Sequence, residues 1–340
     1  MLGRKIKKLK NWLQNRHNLQ LFRLRLAEDR QKTALYRAVL ISHELSATGA
    51  PLMLLAAAEA ILADGGSVRV LAYMDGPLRK KFEKLGIPVF YHPGFRDNAR
   101  LLNEFGGDCA YAVANTAVAY PAVSLLKGPR VLWWIHEAQV IEKDYIARFR
   151  QKKFRPDLEQ TLRQAGKLAV VSDYAREIAA KYNPRVEVIH PAVADVAKEQ
   201  GLQPKQPAEK IRFAMLGAVC EIKGQDVLLK AVRLLPAAYR AQAEFHIAGR
   251  RDGAFAEDLA AESGDLPEVV WEESRSRDNL WDFYRENDVI MVASRDESFS
   301  LVALEACMAS RPLIISSNAG AKFLAVSYTH LRAHETSLHL

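Results

Sequence analysis

The sequence predicts an α/β protein made of two doubly wound parallel sheets. Short apolar runs, typical of buried parallel strands, alternate with helical segments over residues 33–325. A polar, proline-containing stretch without periodicity at 196–210 separates two such alternations. A chain of 340 residues is long enough for two domains with a core each. We therefore expect Rossmann-like domains at 33–195 and 211–325, joined by a linker at 196–210.

The first alternation opens with Ala38–Ile41, a run of four apolar residues that leads through a small-residue turn into an apolar helix. Gly65 and Gly66 end that helix, because glycine favours the position after a helix terminus. The other strands predicted in this half are 68–72, 89–91, 109–113, 131–135, 168–171 and 186–189.

The second alternation follows residue 210. It predicts strands at 211–216, 244–248, 268–271, 289–293 and 313–316, and helices at 225–235, 278–286 and 299–309. Ligands of doubly wound sheets lie beyond the carboxyl ends of the strands. We therefore expect the binding site in a cleft between the two halves.

The positive charge is concentrated at the N-terminus. The chain has 48 Lys and Arg against 40 Asp and Glu, a net charge of +8. Residues 1–32 contain ten of the basic and two of the acidic residues, so 38 of each remain and the rest is neutral. A nucleic-acid partner is therefore not expected, because such a partner requires a basic face on the body.

Residues 1–32 predict a basic amphipathic helix. Apolar residues recur near helical spacing with lysines and arginines between them, namely Ile6, Leu9, Trp12, Leu13, Leu19 and Phe22. Two interpretations stay open. Such a helix lies on an anionic membrane surface, or it packs on the body with its basic face in solvent.

The sequence excludes several other classes of protein. Cys109, Cys220 and Cys307 are far apart and form no CxxC pair, which indicates a reducing, cytoplasmic compartment. Residues 1–32 lack the apolar stretch of a signal peptide, and no apolar run reaches about 18 residues, so neither a signal peptide nor a spanning helix is expected. The motifs GxGxxG, GxxxxGK[ST] and HExxH are missing and no residues show metal-ligand spacing, so we expect neither metal nor cofactor.

Three loops that follow predicted strands carry candidate binding residues. In loop 46–51, Gly49 lets backbone approach a ligand at a helix N-terminus. In loop 217–224, Gly217 opens a second strand–loop–helix unit and Lys223 places an ammonium where it can meet a phosphate.

The third loop, 296–305, carries two candidate carboxylates, Glu297 and Glu305. Glu297 lies at the start of the following helix and Glu305 about two turns further on. Charged acceptors form strong hydrogen bonds to hydroxyl groups, and a further glycine-containing loop, 318–321, lies after the next strand. Small residues, a lysine and two carboxylates at one sheet edge suit a ligand with phosphates and hydroxyls, such as a sugar nucleotide.

These residues resemble a known family. Residues 288–321 resemble the Glu-x7-Glu signature of retaining GT-B glycosyltransferases, the large family often called family 4, with Glu297 and Glu305 at the required spacing. Residues 217–236 look like the donor loop of that family, and 40–51 like its N-terminal glycine loop. Residues 170–182 and 186–195 resemble the end of its first domain. The resemblance covers residues 38–325 and implies a GT-B fold.

The resemblance implies a role for each candidate residue. Lys223 would bind the donor diphosphate, Glu297 the hydroxyls of the donor sugar, and Glu305 those of the ribose. The remaining roles are backbone contacts from Ser298, Phe299 and Ser300, approach of Gly49 to the diphosphate, and a place near the reacting sugar for His136.

The sequence departs from the family pattern at two places. Ala218 stands where the family usually has arginine, so one cation for the diphosphate is missing unless Arg250, Arg251 or Arg295 replaces it. Residues 326–340 lack the family pattern and look like a translated sequencing adaptor. We therefore expect an artefactual tail and an incomplete second domain.

The resemblance implies a retaining, metal-independent glycosyltransferase. It would move a sugar from a nucleotide-diphosphate donor to a hydroxyl of a cell-surface polysaccharide or a lipid-linked precursor. It would work in the cytoplasm, with residues 1–32 on the inner face of the plasma membrane. Two alternatives stay open: a sugar-nucleotide epimerase on the same scaffold, and a non-enzymatic membrane-associated binding module.

Overall fold

The computed structural model describes residues 2–139, 141, 158–193, 196–203, 209–276 and 279–327, with side chains from Asn15 onwards. These residues form two compact units. The first unit contains the residues up to 171 together with 176–193, and the second contains 172–175 and the residues after 193. Each unit has its own parallel sheet, so the predicted fold class of two doubly wound α/β halves is confirmed.

The sheet of the first unit has seven parallel strands in the order β3-β2-β1-β4-β5-β6-β7. Its strands are β1 (Arg37–Ser42), β2 (Ser67–Ala72), β3 (Val89–Tyr91), β4 (Tyr111–Asn115), β5 (Arg130–Ile135), β6 (Lys167–Val170) and β7 (Glu187–Val188). The central strand β1 is buried after its first residue, as expected for a strand covered on both faces.

The described helices before residue 194 are α1 (Leu2–Arg30), α2 (Gly49–Ala63), α3 (Arg79–Lys84), α4 (Ala99–Gly106), α5 (Tyr120–Leu125), α6 (Leu158–Gln164) and α7 (Asp173–Ala179). Most of them connect consecutive parallel strands, which requires a crossover rather than a tight turn. Among the described helices, none has the length and apolar character needed to cross a membrane.

The second half of α1 is part of the first unit. Phe22 and Leu26 are buried in the same core cluster as Phe90, and the rings of Phe22 and Phe90 meet edge to face at 5.5 Å. Of the basic N-terminal extension predicted at 1–32, the second half therefore packs on the body of the first unit. The apolar stripe of that half packs on the sheet, which is the second of the two interpretations that the sequence left open.

A buried ion-pair network fixes the same helix. The guanidinium of Arg69, which is fully buried on β2, donates to the Asp29 carboxylate at 2.8 and 3.0 Å. It also donates to Asp108 at 2.8 Å and to the carbonyl of Phe105 at 2.5 Å. A buried guanidinium needs such partners because desolvation of an unpaired charge is costly. Asp29 thus ties α1 to the first unit.

The second unit has a five-stranded parallel sheet in the order β10-β9-β8-β11-β12. Its strands are β8 (Ile211–Leu216), β9 (Ala243–Ala248), β10 (Val269–Glu272), β11 (Val289–Val292) and β12 (Leu313–Ile315). Its described helices are α8 (Val196–Glu199), α9 (Gln225–Leu234), α10 (Ala237–Arg240), α11 (Ala254–Glu262), α12 (Leu280–Glu286), α13 (Leu301–Met308) and α14 (Lys322–Ser327).

Two predicted boundaries differ from the structure. Residues 196–203 were predicted as linker, but Val196–Glu199 is a helix and Leu202 is buried in the core of the second unit. The carbonyl of Gln203 accepts a hydrogen bond from Arg311 at 3.0 Å. Of the predicted tail, residues 326 and 327 end α14, and 328–340 lie outside the described residues.

Every predicted strand forms, and most bounds agree within one residue. The exception is the strand predicted at 109–113, which lies at Tyr111–Asn115. Cys109 closes the turn after α4 through its amide and the carbonyl of Gly106, so its burial does not reflect a strand. The short helix α10 was not predicted, because four residues carry no periodic signal.

Candidate functional site

The loops after β8 and β9 lie against each other at the carboxyl edge of the second sheet. The amide of Gly217 donates to the carbonyl of Ala248 at 2.9 Å, and that of Val219 to Arg250 at 2.9 Å. A Cβ on Gly249 would lie 1.8 Å from the Gly217 oxygen, and Gly217 itself has φ 140°. Only glycine fits these two positions, so the backbone itself forms the surface of this edge.

Lys223 is fixed by the turn that contains it. It ends a 3₁₀ turn, Glu221–Lys223, and is followed by Gly224 in the left-handed region at φ 74°. A Cβ on Gly224 would lie 2.2 Å from the Ala293 carbonyl oxygen, which excludes larger residues. The Lys223 ammonium contacts the Glu297 carboxylate as an ion pair.

Glu297 lies in a loop that is joined to the next loop along the sheet edge. It forms a parallel bridge with Ala319, and its carbonyl accepts from the amide of Gly320 at 2.8 Å. The Ser294 hydroxyl donates to the Glu297 carboxylate at 3.3 Å. A Cβ on Gly320 would lie 2.0 Å from the Ser298 carbonyl oxygen. The loops 296–305 and 318–321, which were predicted separately from the sequence, thus form one surface.

Ser300 and Phe299 stabilise the start of α13. Ser300 has φ 96°, which is rare for a residue with a side chain, and its hydroxyl accepts from the amide of Ala303 at 3.3 Å. Phe299 is buried, while Ser298 is partly buried. The Ser300 hydroxyl therefore caps the helix.

Glu305 lies in the interior of the second unit. Its side chain is 2% exposed, and its carboxylate accepts a hydrogen bond from the Tyr284 hydroxyl at 2.8 Å. Its neighbours on α13, Ala303 and Ala306, are buried as well. The structure thus pairs Glu297 with Lys223 and Glu305 with Tyr284. Tyr284 was not predicted, because an aromatic residue on an amphipathic helix gives no separate signal.

The three arginines proposed to replace a cation at position 218 differ in their partners. Arg295 donates to both oxygens of Asp226, at 2.7 and 2.8 Å, and to the carbonyl of Glu221. Arg251 lies over the Trp271 ring at 5.8 Å and pairs with Glu273.

Arg250 pairs with Asp252, and both side chains are largely exposed. An exposed ion pair contributes little to stability. Arg250 is therefore the arginine of the three that can leave its partner at the lowest cost.

In the first unit, Gly49 begins helix α2 at the carboxyl end of β1, as predicted. The side-chain amide of Asn115, at the end of β4, donates to the carbonyl of Ala50 at 3.1 Å. This bond fixes the first turn of α2 against the neighbouring strand. The loop of Gly49 is thus held at the carboxyl edge of the first sheet.

His136 follows β5 at the same edge. Its ring lies 4.6 Å from that of Trp134, and its buried Nε2 atom has no hydrogen-bond partner among the described residues. Burial lowers the pKa of His136 to about 3. Burial therefore favours the neutral imidazole near pH 7, which can both donate and accept a hydrogen bond.

Glu137 is a buried carboxylate next to His136 that the sequence did not predict as a site residue. One of its carboxylate oxygens accepts from the amide of Ala117 at 2.9 Å and from that of His136 at 3.1 Å. Burial raises the pKa of Glu137 to about 7, with the backbone hydrogen bonds opposing the shift. The sequence does contain a signal for this residue, namely a His-Glu pair directly after a predicted strand. The pair was considered only as part of the zinc motif HExxH, which it does not complete.

The described part of the chain shows no candidate metal site. There, no group of three His, Cys, Asp or Glu side chains is placed to hold an ion. The charged groups described at the carboxyl edge of the second sheet form ion pairs instead: Lys223 with Glu297, Arg250 with Asp252, and Arg295 with Asp226.

Two Rossmann-like units, with a lysine and a glutamate at the carboxyl edge of the second sheet, define the GT-B class of fold. The family comparisons agree with this class. Residues 36–192 match the profile of glycosyl-transferase family 4, and residues 198–329 match that of glycosyl transferases group 1. Each half of the chain is therefore similar to a glycosyltransferase domain.

Solved structures share the fold at low sequence identity. HepE of Anabaena in complex with UDP-glucose superposes with a TM-score of 0.68 at 16% identity, covering 85% of this chain and 82% of that one. WaaG, a glycosyltransferase involved in lipopolysaccharide biosynthesis, superposes with a TM-score of 0.61 at 15% identity, covering 85% and 84%. At these identities the likeness concerns the fold.

Curated relatives include D-inositol 3-phosphate glycosyltransferases. That of Mycolicibacterium gilvum is 30% identical over 179 residues, which are 48% of this chain and 39% of the relative. That of Mycolicibacterium vanbaalenii is 33% identical over 157 residues, 40% of this chain and 34% of the relative. The matches thus span well under half of the length of these relatives.

Proposed function

We propose that this chain is a glycosyltransferase that uses a nucleotide-diphosphate sugar. The observation that carries the proposal is the contact between Lys223 and Glu297 at the carboxyl edge of the second sheet. Ligands of such sheets bind at that edge, and an ammonium beside a carboxylate offers a phosphate contact next to a hydroxyl contact. The family profiles of both halves and the UDP-sugar complex of HepE support the same class of donor.

In this proposal, Lys223 binds the donor diphosphate and Glu297 the hydroxyls of the sugar. When the donor binds, the diphosphate replaces Glu297 as the partner of the ammonium. As the bond between the anomeric carbon and the phosphate oxygen breaks, the ammonium stabilises the charge that develops on the diphosphate. Loss of one such donor in a preorganised site typically costs about 10²–10³ in rate.

A second cation is expected because a diphosphate carries more than one negative charge. Arg250 supplies it in our proposal, replacing the arginine that the family usually has at position 218. Its backbone lies beside the loop of Gly217, since the amide of Val219 donates to its carbonyl. Arg295 is already held by both oxygens of Asp226, and Arg251 by Trp271 and Glu273.

Glu305 binds the ribose hydroxyls in this proposal, with Tyr284 fixing its carboxylate. An ionised carboxylate accepts several hydrogen bonds, so a bond to Tyr284 at 2.8 Å is compatible with a second one to a ligand. Ser298, Phe299 and Ser300 offer backbone groups to the sugar and the phosphates.

The reaction is proposed to retain the anomeric configuration. The acceptor oxygen attacks on the face from which the diphosphate leaves, and the acceptor proton passes to the leaving phosphate oxygen. His136 takes no proton in this scheme, because burial lowers its pKa and makes the imidazole a weak base. It contributes a hydrogen bond to the sugar or the acceptor.

The acceptor is proposed to be a hydroxyl of a cell-surface polysaccharide or a lipid-linked precursor. WaaG, which has the same fold, is involved in lipopolysaccharide biosynthesis. Residues 2–14 begin helix α1 and include Lys5, Lys7, Lys8 and Lys10. We propose that this half of α1 attaches the cytoplasmic protein to an anionic membrane surface, to which each basic residue contributes about 1 kcal/mol.

The donor is tested by a thermal-shift panel of nucleotide sugars, with Glu305→Ala and Lys223→Gln as comparison variants. We expect one nucleotide sugar to stabilise the wild type and both variants to lose most of that shift. The products of an acceptor incubation are then analysed by NMR. A new glycosidic bond of unchanged anomeric configuration is expected, whereas an altered free sugar nucleotide would indicate the epimerase instead. Absence of any nucleotide-sugar binding would contradict the proposal.

The membrane contact is tested by deleting residues 2–14 and measuring sedimentation with phosphatidylglycerol vesicles. Deletion of 1–32 is unsuitable, because it also removes the buried Phe22 and Asp29. We expect vesicle binding to fall and nucleotide-sugar binding to persist. Unchanged sedimentation would contradict the membrane role, and neutral phosphatidylcholine vesicles serve as the control.

A further inference from the structure

We propose that Glu137 is a positioning residue, which fixes the chain after β4 and β5 and thereby sets the place of His136. The activity part of its test rests on the proposed glycosyl transfer, whereas the contacts that support it belong to the first unit alone. Glu137 itself need not touch the substrate.

The Glu137 carboxylate joins two strand ends. One oxygen accepts from the amide of Ala117, two residues after β4, at 2.9 Å. The same oxygen accepts from the amide of His136, directly after β5, at 3.1 Å. Two amides that are 19 residues apart in sequence therefore converge on one oxygen atom.

The chain after β4 needs such an anchor because Thr116 is strained. Thr116 is β-branched and has φ 76°, a conformation that residues with a side chain rarely adopt. Its amide donates to the Trp134 carbonyl at 2.8 Å, and its carbonyl accepts from the Trp133 indole at 2.8 Å. Glu137 holds the next amide, that of Ala117, and so completes the set of bonds that keeps Thr116 in place.

His136 is held by its backbone and by its ring. Glu137 holds the His136 amide, and the imidazole lies against Trp134 with its Nε2 atom buried and without a partner among the described residues. A rotation of the peptide before His136 would move the whole ring. The direction of the imidazole therefore depends on a bond to the Glu137 carboxylate.

The charge of Glu137 changes near neutral pH. Burial raises its pKa to about 7, and an ionised carboxylate accepts hydrogen bonds more strongly than a protonated one. Among the described residues, His136 is the neighbour of Glu137 in sequence, and His43 and Glu44 lie on the other side of Thr116. Burial lowers the pKa of His136 and of His43, whose Nδ1 lies 3.1 Å from the Thr116 hydroxyl, and Glu44 lies 3.7 Å from His43.

The first test compares Glu137→Gln, Glu137→Ala and the control Glu44→Gln by the pH dependence of kcat between pH 5.5 and 9. The wild type and Glu44→Gln should show kcat rising with pH through an inflection near 7. Glu137→Gln keeps the acceptor oxygen but not the charge, so we expect a flat profile in that range. Glu137→Ala should lose about 10²-fold in kcat, because the loops shift, while binding of UDP changes less than about twofold.

The second test does not require activity. Hydrogen exchange at the amides of Ala117 and His136 should be at least about tenfold faster in Glu137→Ala than in the wild type, and close to the wild type in Glu137→Gln. Unchanged exchange in Glu137→Ala, or an inflection that persists in Glu137→Gln, would overturn the proposal. If the wild type transfers no sugar, the proposed function fails, and the exchange of the two amides still decides the role of Glu137.

Discussion

The Lys223 ammonium and the Glu297 carboxylate form an ion pair although 74 residues separate them in the sequence. They meet because β8 and β11 are neighbours in the second sheet and both loops leave it at the carboxyl edge. The pair is only partly exposed, with 34% of the lysine side chain and 18% of the glutamate side chain accessible. A phosphate that reaches Lys223 therefore competes with Glu297.

Lys223 and Glu297 should affect nucleotide binding in opposite directions. Lys223→Gln removes a charged hydrogen-bond donor and should weaken UDP binding about tenfold to a hundredfold. Glu297→Gln removes the competing carboxylate, so UDP should bind as well as before or better, whereas transfer of the sugar should slow. Isothermal titration with UDP measures both, and weaker binding in both variants would show that the competition does not exist.

Arg250 and position 218 should compensate each other. Arg250→Gln should weaken UDP binding by about tenfold, since a charged hydrogen bond is lost. Ala218→Arg in the same chain should restore most of that loss by placing a guanidinium on the neighbouring loop. Arg251→Gln is the matched control, because its cation lies over Trp271. Equal losses in Arg250→Gln and Arg251→Gln would exclude a specific role for Arg250.

Tyr284→Phe should destabilise the second unit by about 1–3 kcal/mol, because it removes a hydrogen-bond donor from the buried Glu305 carboxylate. Urea unfolding of the purified protein measures this change. If Glu305 binds the ribose, the same variant should also bind UDP more weakly, and uridine should reproduce the effect without phosphates. Uridine binding that is unchanged in Tyr284→Phe would argue against a ribose contact positioned by this pair.

The stability of the protein should depend on pH through Glu137. Its pKa is raised from 4.5 to about 7, so the folded state binds this proton more tightly than the unfolded state. The free energy of unfolding should therefore fall as pH rises from 4.5 to about 7, by about 3 kcal/mol from this group. His136, whose pKa is lowered to about 3, acts in the opposite direction between pH 3 and 6.5.

Glu137→Gln isolates the contribution of Glu137 to that dependence. The variant carries no charge at either pH, so its stability relative to the wild type should be higher at pH 8 than at pH 5. Urea unfolding at the two pH values gives the difference directly. A difference that does not change with pH would mean that Glu137 is ionised in the folded protein throughout this range.

Asp29→Asn should destabilise the first unit strongly. It removes one of the two charged partners of the buried Arg69 guanidinium, while the bond to Asp108 remains, and the loss of such a charged hydrogen bond typically costs about 1.5–3 kcal/mol. Glu104→Gln is the matched control, since its partner Arg23 is half exposed and such pairs contribute less than about 1 kcal/mol. Similar effects of the two substitutions in urea unfolding would contradict a central role of this network.

The strands of both sheets could be predicted because their signal is local. Each is a short apolar run bounded by turn residues, and alternation with helices requires parallel pairing. The predicted bounds of an element were wrong where an apolar residue is buried for a reason other than a strand, as at Cys109. They were also wrong where a polar segment forms a helix, as at Val196–Glu199. Residues 1–32 left two interpretations open, since an amphipathic pattern does not say what its apolar face meets.

By itself the sequence determined the fold class, the loops that carry glycine, and the presence of Lys223, Glu297 and Glu305 after strands of the second half. These follow from the periodicity of apolar residues and from the order of strands, loops and helices, both of which can be read directly from the sequence. The tertiary structure alone decided which side chains meet. It paired Lys223 with Glu297, buried Glu305 against Tyr284, and placed Glu137 on two strand ends. Such contacts join residues far apart in sequence, so they depend on how the strands are ordered and how closely their loops pack.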